Sequence, residues 1–323
     1  MISGSENLRG EKMYSVVIPC YKSEQTIEKV VKSTIGEMEE MGREELEIIL
    51  VNDCSPDEGK TIAKLKELAK TYACVKIIDL AKNVGQHNAM MAGLRNASGD
   101  VIISMDDDMQ TRPSELCKMF EAFEEGYDVV YGCYPEKKES PFRLFGSWVN
   151  RVCVTYCLQK PKEIKSSSFW IMRKFVKDSI IEYRGAHTYL LGLILRTTHN
   201  IKSVEVQHFE REIGTSGYTL KSLIGLWSNI IGFSTKPLHL AMQCGYLLSG
   251  GSFLAAIFVI VKKILNPAIT VGWASTIVAI FFSLGIILFF MGLIGEYVGR
   301  MYLHVNNEPQ YVIREKINFD EEE

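Results

Sequence analysis

Four short runs of apolar residues punctuate the first third of the chain: Tyr14 to Pro19 (YSVVIP), Glu47 to Val51 (EIILV), Val75 to Asp79 (VKIID) and Val101 to Met105 (VIISM). Runs that are apolar on consecutive rather than alternate positions are expected of strands covered on both faces, as in a parallel sheet. Between them, Gln25 to Met41, Glu58 to Tyr72 and Gln86 to Asn96 repeat apolar positions at helical spacing and are rich in good helix formers. The alternation predicts a doubly wound α/β domain, mostly parallel, whose ligands sit beyond the carboxyl ends of the strands.

The pattern changes after Lys236. The 25 residues between Lys236 and Lys262, and the 32 between Lys263 and Glu296, contain no Asp, Glu, Lys or Arg. A bilayer crossing takes about 20 such residues, so both segments read as transmembrane helices, with Asn266-Pro267 supplying the turn. The competing reading, a buried hairpin of a soluble protein, requires core helices of unusual apolar length. Tyr218 to Thr235 places Leu220, Leu223, Ile224, Trp227, Ile230 and Ile231 at helical spacing. That stretch reads as an amphipathic interfacial helix or as a surface helix of the soluble domain, and its position just before a span favours the former. The expected division is a polar extension (1–12), an α/β domain (13–217), a juxtamembrane helix (218–236), a two-helix anchor (237–296) and a tail (297–323). Met1 to Lys12 lacks the apolar core of an export signal, so the expected location is the cytoplasmic membrane with domain and tail on the cytosolic side. Loop charges decide little, because Lys236 and Arg300 agree with this orientation while Lys262 and Lys263 fall at the far end. Gly250-Gly251 with Ala255 and Ala256 would allow close helix approach, which makes a homo-oligomer an expectation, although glycine is common in membrane helices anyway.

Composition narrows the chemistry. The chain has 323 residues, 47% hydrophobic and 23% charged, with a formal net charge of -3. It offers no basic excess for a nucleic-acid partner. Its eight cysteines form no CxxC pair and none of its six histidines stands at metal-ligand spacing, so neither a disulfide framework nor a zinc site is expected. There is no G-x-G-x-x-G after the first strand and no G-x-x-x-x-G-K-[ST] anywhere, which removes dinucleotide and P-loop chemistry.

Polar residues gather where each strand should end: Pro19-Cys20-Tyr21, then Asn52-Asp53-Cys54-Ser55-Pro56-Asp57, then Asp106-Asp107-Asp108-Met109-Gln110. Asp57 and Ser55 read equally well as helix caps. Three consecutive carboxylates after a buried strand repel one another, and hard oxygen ligands of this kind suit Mg²⁺ or Mn²⁺ completed by substrate phosphates. A solvated acidic turn is the alternative.

Together VVIPCYKSE, VNDCSPD, KNVGQHNAMMAGL, SGDVIISMDDDMQTRPSEL and REIGTSGY resemble glycosyltransferase family 2 from about Tyr14 to Tyr218. The branch they are most similar to holds dolichol-phosphate mannose synthases and bacterial undecaprenyl-phosphate sugar transferases, and the two spans ending in IGEYVGRMY fit its membrane-anchored bacterial members. The resemblance implies a GT-A-like fold. It also implies that Pro19, Tyr21 and Asp53 line the nucleotide pocket, that Asp106 contacts the nucleotide-sugar, and that Asp108 and Gln110 bind the metal. Arg143 and Ser147, in SPFRLFGSW, match residues that hold the acceptor lipid phosphate, and Arg211, in R-x-x-G-x-S-x-Y, matches an arginine that binds phosphate near the reacting centre. The implied reaction is inverting transfer of a sugar from a nucleotide-sugar, UDP before GDP, to a polyprenyl phosphate embedded in the lipid bilayer. An ionised phosphate needs no base, so His87 is expected to be a helix-start or core-edge histidine.

The chain departs from the family where Ser23 replaces an acidic residue, where Cys133 replaces an arginine, and in Lys165 to Trp170 (KSSSFW), which differs from Ser-Gly-Phe-Arg. Lys137 or Lys138 would be available to compensate at the second position. Two further readings are weighed: a processive polysaccharide synthase, which would show Q-x-x-R-W and more spans, and a catalytically silent scaffold or sugar-lipid binding protein, which would have lost the acidic triplet.

Overall fold

The computed structural model describes residues 12–134, 154–161, 163–207, 209, 233–265 and 272–319. The four apolar runs form β1 (Tyr14–Cys20), β2 (Leu46–Asn52), β3 (Val75–Leu80) and β4 (Val101–Ser104). The helical segments between them form α1 (Ile27–Glu40), α2 (Lys60–Thr71) and α3 (Gln86–Arg95). Beyond these lie α4 (Leu116–Glu124), β5 (Val129–Cys133), β6 (Trp170–Arg173), α5 (Lys174–Ile181), α6 (Leu190–Thr197) and β7 (Ile201–Glu205). Two long helices follow, α7 (Lys236–Leu265) and α8 (Trp273–Val305), and then β8 (Ile313–Ile317).

All eight strands join one sheet in the order β7-β5-β6-β4-β1-β2-β3-β8. The β4-β1-β2-β3 centre is parallel, and β6 and β8 run antiparallel to their neighbours. Register explains why the central runs carry no polar alternation. Val17 pairs with Ile49 and packs under α3, while Ile18 pairs with Leu50 and faces the opposite layer, so each strand is apolar on both sides. The α3 layer lies so close that a Cβ at Gly93 would stand 2.2 Å from Val17 Cγ1. Only glycine fits that crossing.

The amino-terminal end of the sheet is closed by one buried carboxylate. Glu47 accepts hydrogen bonds from Ser15 Oγ at 2.5 Å, Ser98 N at 2.7 Å and Ser98 Oγ at 2.8 Å, and pairs with Lys76 Nζ at 2.7 Å. Burial pushes its pKa up, but Lys76, Ser15 and Ser98 outweigh that and hold it below the usual carboxylate value.

The described parts of both long apolar segments lie in α7 and α8, apart from Gly272 just before α8. Among the described residues one stretch, Ala279–Val305, is long and apolar enough to cross a membrane, with a mean hydropathy of 2.2. Large apolar side chains such as Leu247, Phe253, Phe281 and Phe289 stand exposed on both helices, an amount of bare apolar surface that asks for a non-aqueous neighbour. Gly250 and Gly251 have open space where a Cβ would go. The side chains of Ala255 and Ala256, the turn Asn266-Pro267 and residues 218–232 of the expected interfacial helix lie outside the described residues.

Residues 297–323, expected as a tail, prove to hold more. The second helix runs on to Val305, and on the way Tyr297 Oη donates to Ser234 O at 2.6 Å beside the start of α7. Gln310 Nε2 then donates to Gly185 O at 2.6 Å and Thr188 Oγ1 at 3.1 Å, and β8 pairs antiparallel with β3. The helical hairpin thus leaves and rejoins a single folded unit. Strand β8 escapes sequence reading because IREKI carries three charges, as suits an edge strand.

Candidate functional site

Three turns at the carboxyl ends of β1, β2 and β4 converge on one edge, and each contains a non-glycine residue in the left-handed region: Lys22 (φ 60°), Cys54 (φ 47°) and Met109 (φ 59°). Such backbone costs on the order of 1–3 kcal/mol per residue and persists where surrounding contacts over-determine it, which happens most at functional edges.

Asp106, half-buried after β4, accepts from Gln86 Nε2 at 2.8 Å and from Ser168 Oγ. Burial pushes its pKa up to about 6, the charges of Asp108 and Asp107 add to this, and the donors Ser168 and Gln86 oppose it. Asp107 turns the other way. One of its oxygens accepts from Tyr21 N at 3.0 Å and from Ser23 Oγ, which ties the β1 turn to the β4 turn. Its pKa too is raised, first by burial. Asp108 accepts the Gln110 N–H at 3.1 Å across a two-residue turn. Beside them Tyr134 Oη lies 2.6 Å from Thr111 Oγ1, its pKa raised by burial and then by the nearby Asp106 and Asp108.

Asp53, buried after β2, spends both oxygens on the turn after β3: Val84 N at 2.7 Å and Gly85 N at 2.9 Å. Burial raises its pKa and those two N–H groups oppose the rise. Asp53 therefore fixes the turn after β3 against the end of β2. Pro19 is half-buried near the end of β1 and Tyr21 is 46% exposed, so its ring is available to a ligand at this edge. Of the two candidate caps, Asp57 accepts the first-turn N–H of Thr61 at 3.0 Å, whereas Ser55 bridges Lys22 N and Asn52 Oδ1 instead. His87 stacks edge-on against Tyr189 with ring centroids 5.4 Å apart, and burial lowers its pKa, as fits a packed neutral histidine.

The departures acquire a physical meaning. Ser23 is buried and gives its hydroxyl to Asp107, so an acidic residue there would face a carboxylate. In KSSSFW, Ser168 touches Asp106 directly and Ser167 Oγ donates to Gly132 O at 2.6 Å. Cys133 ends β5 half-buried. Arg143, Ser147 and Arg211, with Lys137 and Lys138, lie outside the described residues. Sequence reasoning gave no role to Gln86, although GQHN was part of the resemblance, and none to Asp107.

The donor set suits a hard divalent cation. Asp106, Asp108 and Gln110 follow β4 on one turn, and the half-buried Asp106 stands within the field of the Asp107 and Asp108 charges. Among the described residues no three His, Cys, Asp or Glu side chains gather as a closed metal cage. Mg²⁺ is commonly held by one or two carboxylates together with substrate phosphates rather than by a closed protein cage.

The glycosyl transferase family 2 model matches residues 15–181, from β1 through α5. An uncharacterized glycosyltransferase YkcC of Bacillus subtilis is 31% identical over 309 residues, covering 95% of each chain. An undecaprenyl-phosphate 4-deoxy-4-formamido-L-arabinose transferase of Proteus mirabilis is 32% identical over 309 residues, covering 94% of this chain and 93% of its own. Among solved structures, glucosyl-3-phosphoglycerate synthase of Mycobacterium tuberculosis superposes with a TM-score of 0.49 at 17% identity, over 69% of this chain and 79% of that one. With a matched domain that spans the sheet's parallel centre and the acidic turn, and relatives alike over nearly the whole length, the chain is a glycosyltransferase and belongs to glycosyl transferase family 2.

Proposed function

We propose that this glycosyltransferase moves a sugar from a nucleotide-sugar, with UDP as the carrier, to a polyprenyl phosphate of the undecaprenyl type at the cytosolic face of a membrane. The observation that carries the reading is one of placement. The acidic turn Asp106–Gln110 opens at the edge of a domain whose chain also roots both ends of an apolar hairpin, through Ser234–Tyr297 and β8. An active site held beside a bilayer fits an acceptor that is itself a lipid, and the undecaprenyl-phosphate transferases named above are alike over the hairpin as well as the domain.

In this reading Pro19 and Tyr21 line the nucleotide pocket, Asp53 holds its floor, and Asp106 orients the sugar-bearing end of the donor. Asp108 and Gln110 would hold Mg²⁺ or Mn²⁺. When bound, such an ion neutralises the departing diphosphate by several kcal/mol. Arg143, Ser147 and Arg211 are our assignment for the acceptor phosphate, for which planar guanidinium groups suit bidentate pairing. An oxygen of the ionised acceptor phosphate attacks the anomeric carbon from the face opposite the leaving group. The bond from that carbon to the diphosphate breaks with its electron pair going to the nucleotide, and configuration inverts. No proton has to be removed, so the chain contributes positioning and charge stabilisation rather than a base. Both helices, α7 and α8, span the membrane in this arrangement, because a hairpin that rejoins its own domain must cross an even number of times.

The test is transfer from a panel of radiolabelled UDP- and GDP-sugars to undecaprenyl phosphate by the detergent-purified protein, with Mg²⁺ or Mn²⁺ and with EDTA. A labelled lipid formed with one UDP-sugar, and only with metal, is the expected result. Absence of product with every donor would refute the assignment of acceptor and carrier.

A further inference from the structure

Strand β8 arrives from beyond the membrane hairpin, yet it makes contact with the proposed nucleotide pocket. Arg314 Nη1 donates to Asp79 Oδ2 at 3.0 Å, and its Nη2 to Ala81 O at 3.2 Å. Asp79 is buried and its other oxygen accepts Asn52 Nδ2 at 2.7 Å. Asn52 Oδ1 in turn accepts Ser55 Oγ at 2.8 Å, and Ser55 Oγ accepts Lys22 N at 3.1 Å. An unbroken chain of hydrogen bonds therefore runs from the last strand, across the ends of β3 and β2, to the residue after Tyr21.

The chain has a direction. A carboxylate only accepts, so Asp79 compels Asn52 to turn its NH₂ inward and its carbonyl oxygen towards Ser55. Ser55 can then donate to Asn52 and still offer a lone pair to Lys22 N. Each link polarises the next, and a guanidinium at the far end supplies the charge opposite the buried Asp79. The chain also brackets the two strained turns. Lys22 is one of its members, and Cys54 lies between Asn52 and Ser55 with its Sγ 3.6 Å from Ala81 O, the carbonyl that Arg314 also binds.

We infer that Arg314 is a positioning residue for donor binding: from the post-membrane strand it fixes, through Asp79, Asn52 and Ser55, the two left-handed turns that form the nucleotide pocket. The inference rests on the nucleotide reading given above, and it makes donor affinity depend on the segment that returns from the hairpin. Among the described residues, the other ion pair on β8 has no such reach. Lys66 Nζ pairs with Glu315 at 2.7 Å on the exposed side of the strand, away from Asn52.

The experiment uses full-length protein in detergent and compares wild type with R314A, R314K and K66A. Kd for UDP is measured with Mn²⁺, and amide hydrogen exchange is followed in peptides covering 20–23, 52–55 and 78–82. R314A is expected to weaken UDP about tenfold, the scale of one lost charge-assisted hydrogen bond. It should speed exchange at 20–23 and 52–55 while the ladder bond from Ala81 N to Val312 O keeps its protection. R314K should recover most of the affinity and K66A should match wild type. Exchange that rises equally at 78–82 would mean that Arg314 merely seats the strand, and would overturn the inference. Unchanged Kd and turn exchange in R314A, in a protein whose wild type binds UDP, would overturn it as well. A wild type that binds no UDP refutes the nucleotide reading itself and the coupling with it.

Discussion

The two ends of the same parallel strands treat a carboxylate in opposite ways. At the amino-terminal end Glu47 is met by Ser15, Ser98 and Lys76, and its pKa lies below normal. At the carboxyl-terminal end Asp106 is met by Gln86 and Ser168, stands beside two more carboxylates, and its pKa is pushed up to about 6, first by burial. One end is electrostatically complete within the chain. The other is short of positive charge, and a ligand or ion that brings it is stabilised there. The difference separates stability from function along strands only a few residues long, and each end can be broken without the other.

The largest effect is expected at the open end. Replacing Asp108 by Ala removes an oxygen of the proposed metal site, and because a divalent ion supplies several kcal/mol to a departing diphosphate, kcat/KM should fall by roughly 10²- to 10⁴-fold. Thermal unfolding should stay close to wild type, since Asp108 is partly exposed and accepts the Gln110 N–H within its own turn. Undiminished transfer with Mg²⁺ or Mn²⁺ would take the metal out of the mechanism.

The closed end should give the converse. Glu47→Ala strands Lys76 and three serine donors, and is expected to destabilise the protein by about 2–4 kcal/mol, read as a fall in melting temperature, with the turnover of the folded fraction unaltered. The sign with pH follows from the lowered pKa of Glu47. Its contribution is fully present above the unfolded value of about 4.3 and is lost as pH falls through the lower folded value. Acid melting curves of wild type and variant should therefore converge as pH falls below the unfolded value. Curves that stay parallel through that range would show that Glu47 contributes by packing alone.

How much of this was open to sequence reading follows the range of the forces involved. The four strands and three helices of the parallel half show themselves because burial on both faces leaves a local record, as in Val16-Val17-Ile18 or Ile48-Ile49-Leu50. The acidic turn is visible for the same reason, since three adjacent carboxylates are a local anomaly. What stays hidden is pairing at a distance. Ser168 reaches Asp106 across 62 positions and Arg314 reaches Asp79 across 235. Neither serine nor arginine in those surroundings differs from a solvated surface residue until the sheet brings the partners together. Strand β8 is hidden by its own charges, and Asp107 by standing inside a triplet whose members look alike although they face different partners.

The smallest effect sharpens the contrast most, because it asks what the donors at the open end are for. Ser168 gives Asp106 one charge-assisted hydrogen bond, and Gln86 gives another. If the pair were a stabilising device like the one around Glu47, Ser168→Ala would lower the melting temperature in proportion to one lost bond, about 1.5–3 kcal/mol. At a site built to receive a ligand, the half-buried Asp106 can relax toward solvent in the empty protein. The loss then appears only when the sugar donor must be oriented. The expected outcome is a melting temperature within a few degrees of wild type and a kcat/KM for the nucleotide-sugar about tenfold lower. Ser168→Thr, which keeps the hydroxyl, should restore most of the rate. A large fall in stability with normal kinetics would instead make Ser168 a second Glu47-type clasp and erase the distinction between the two ends.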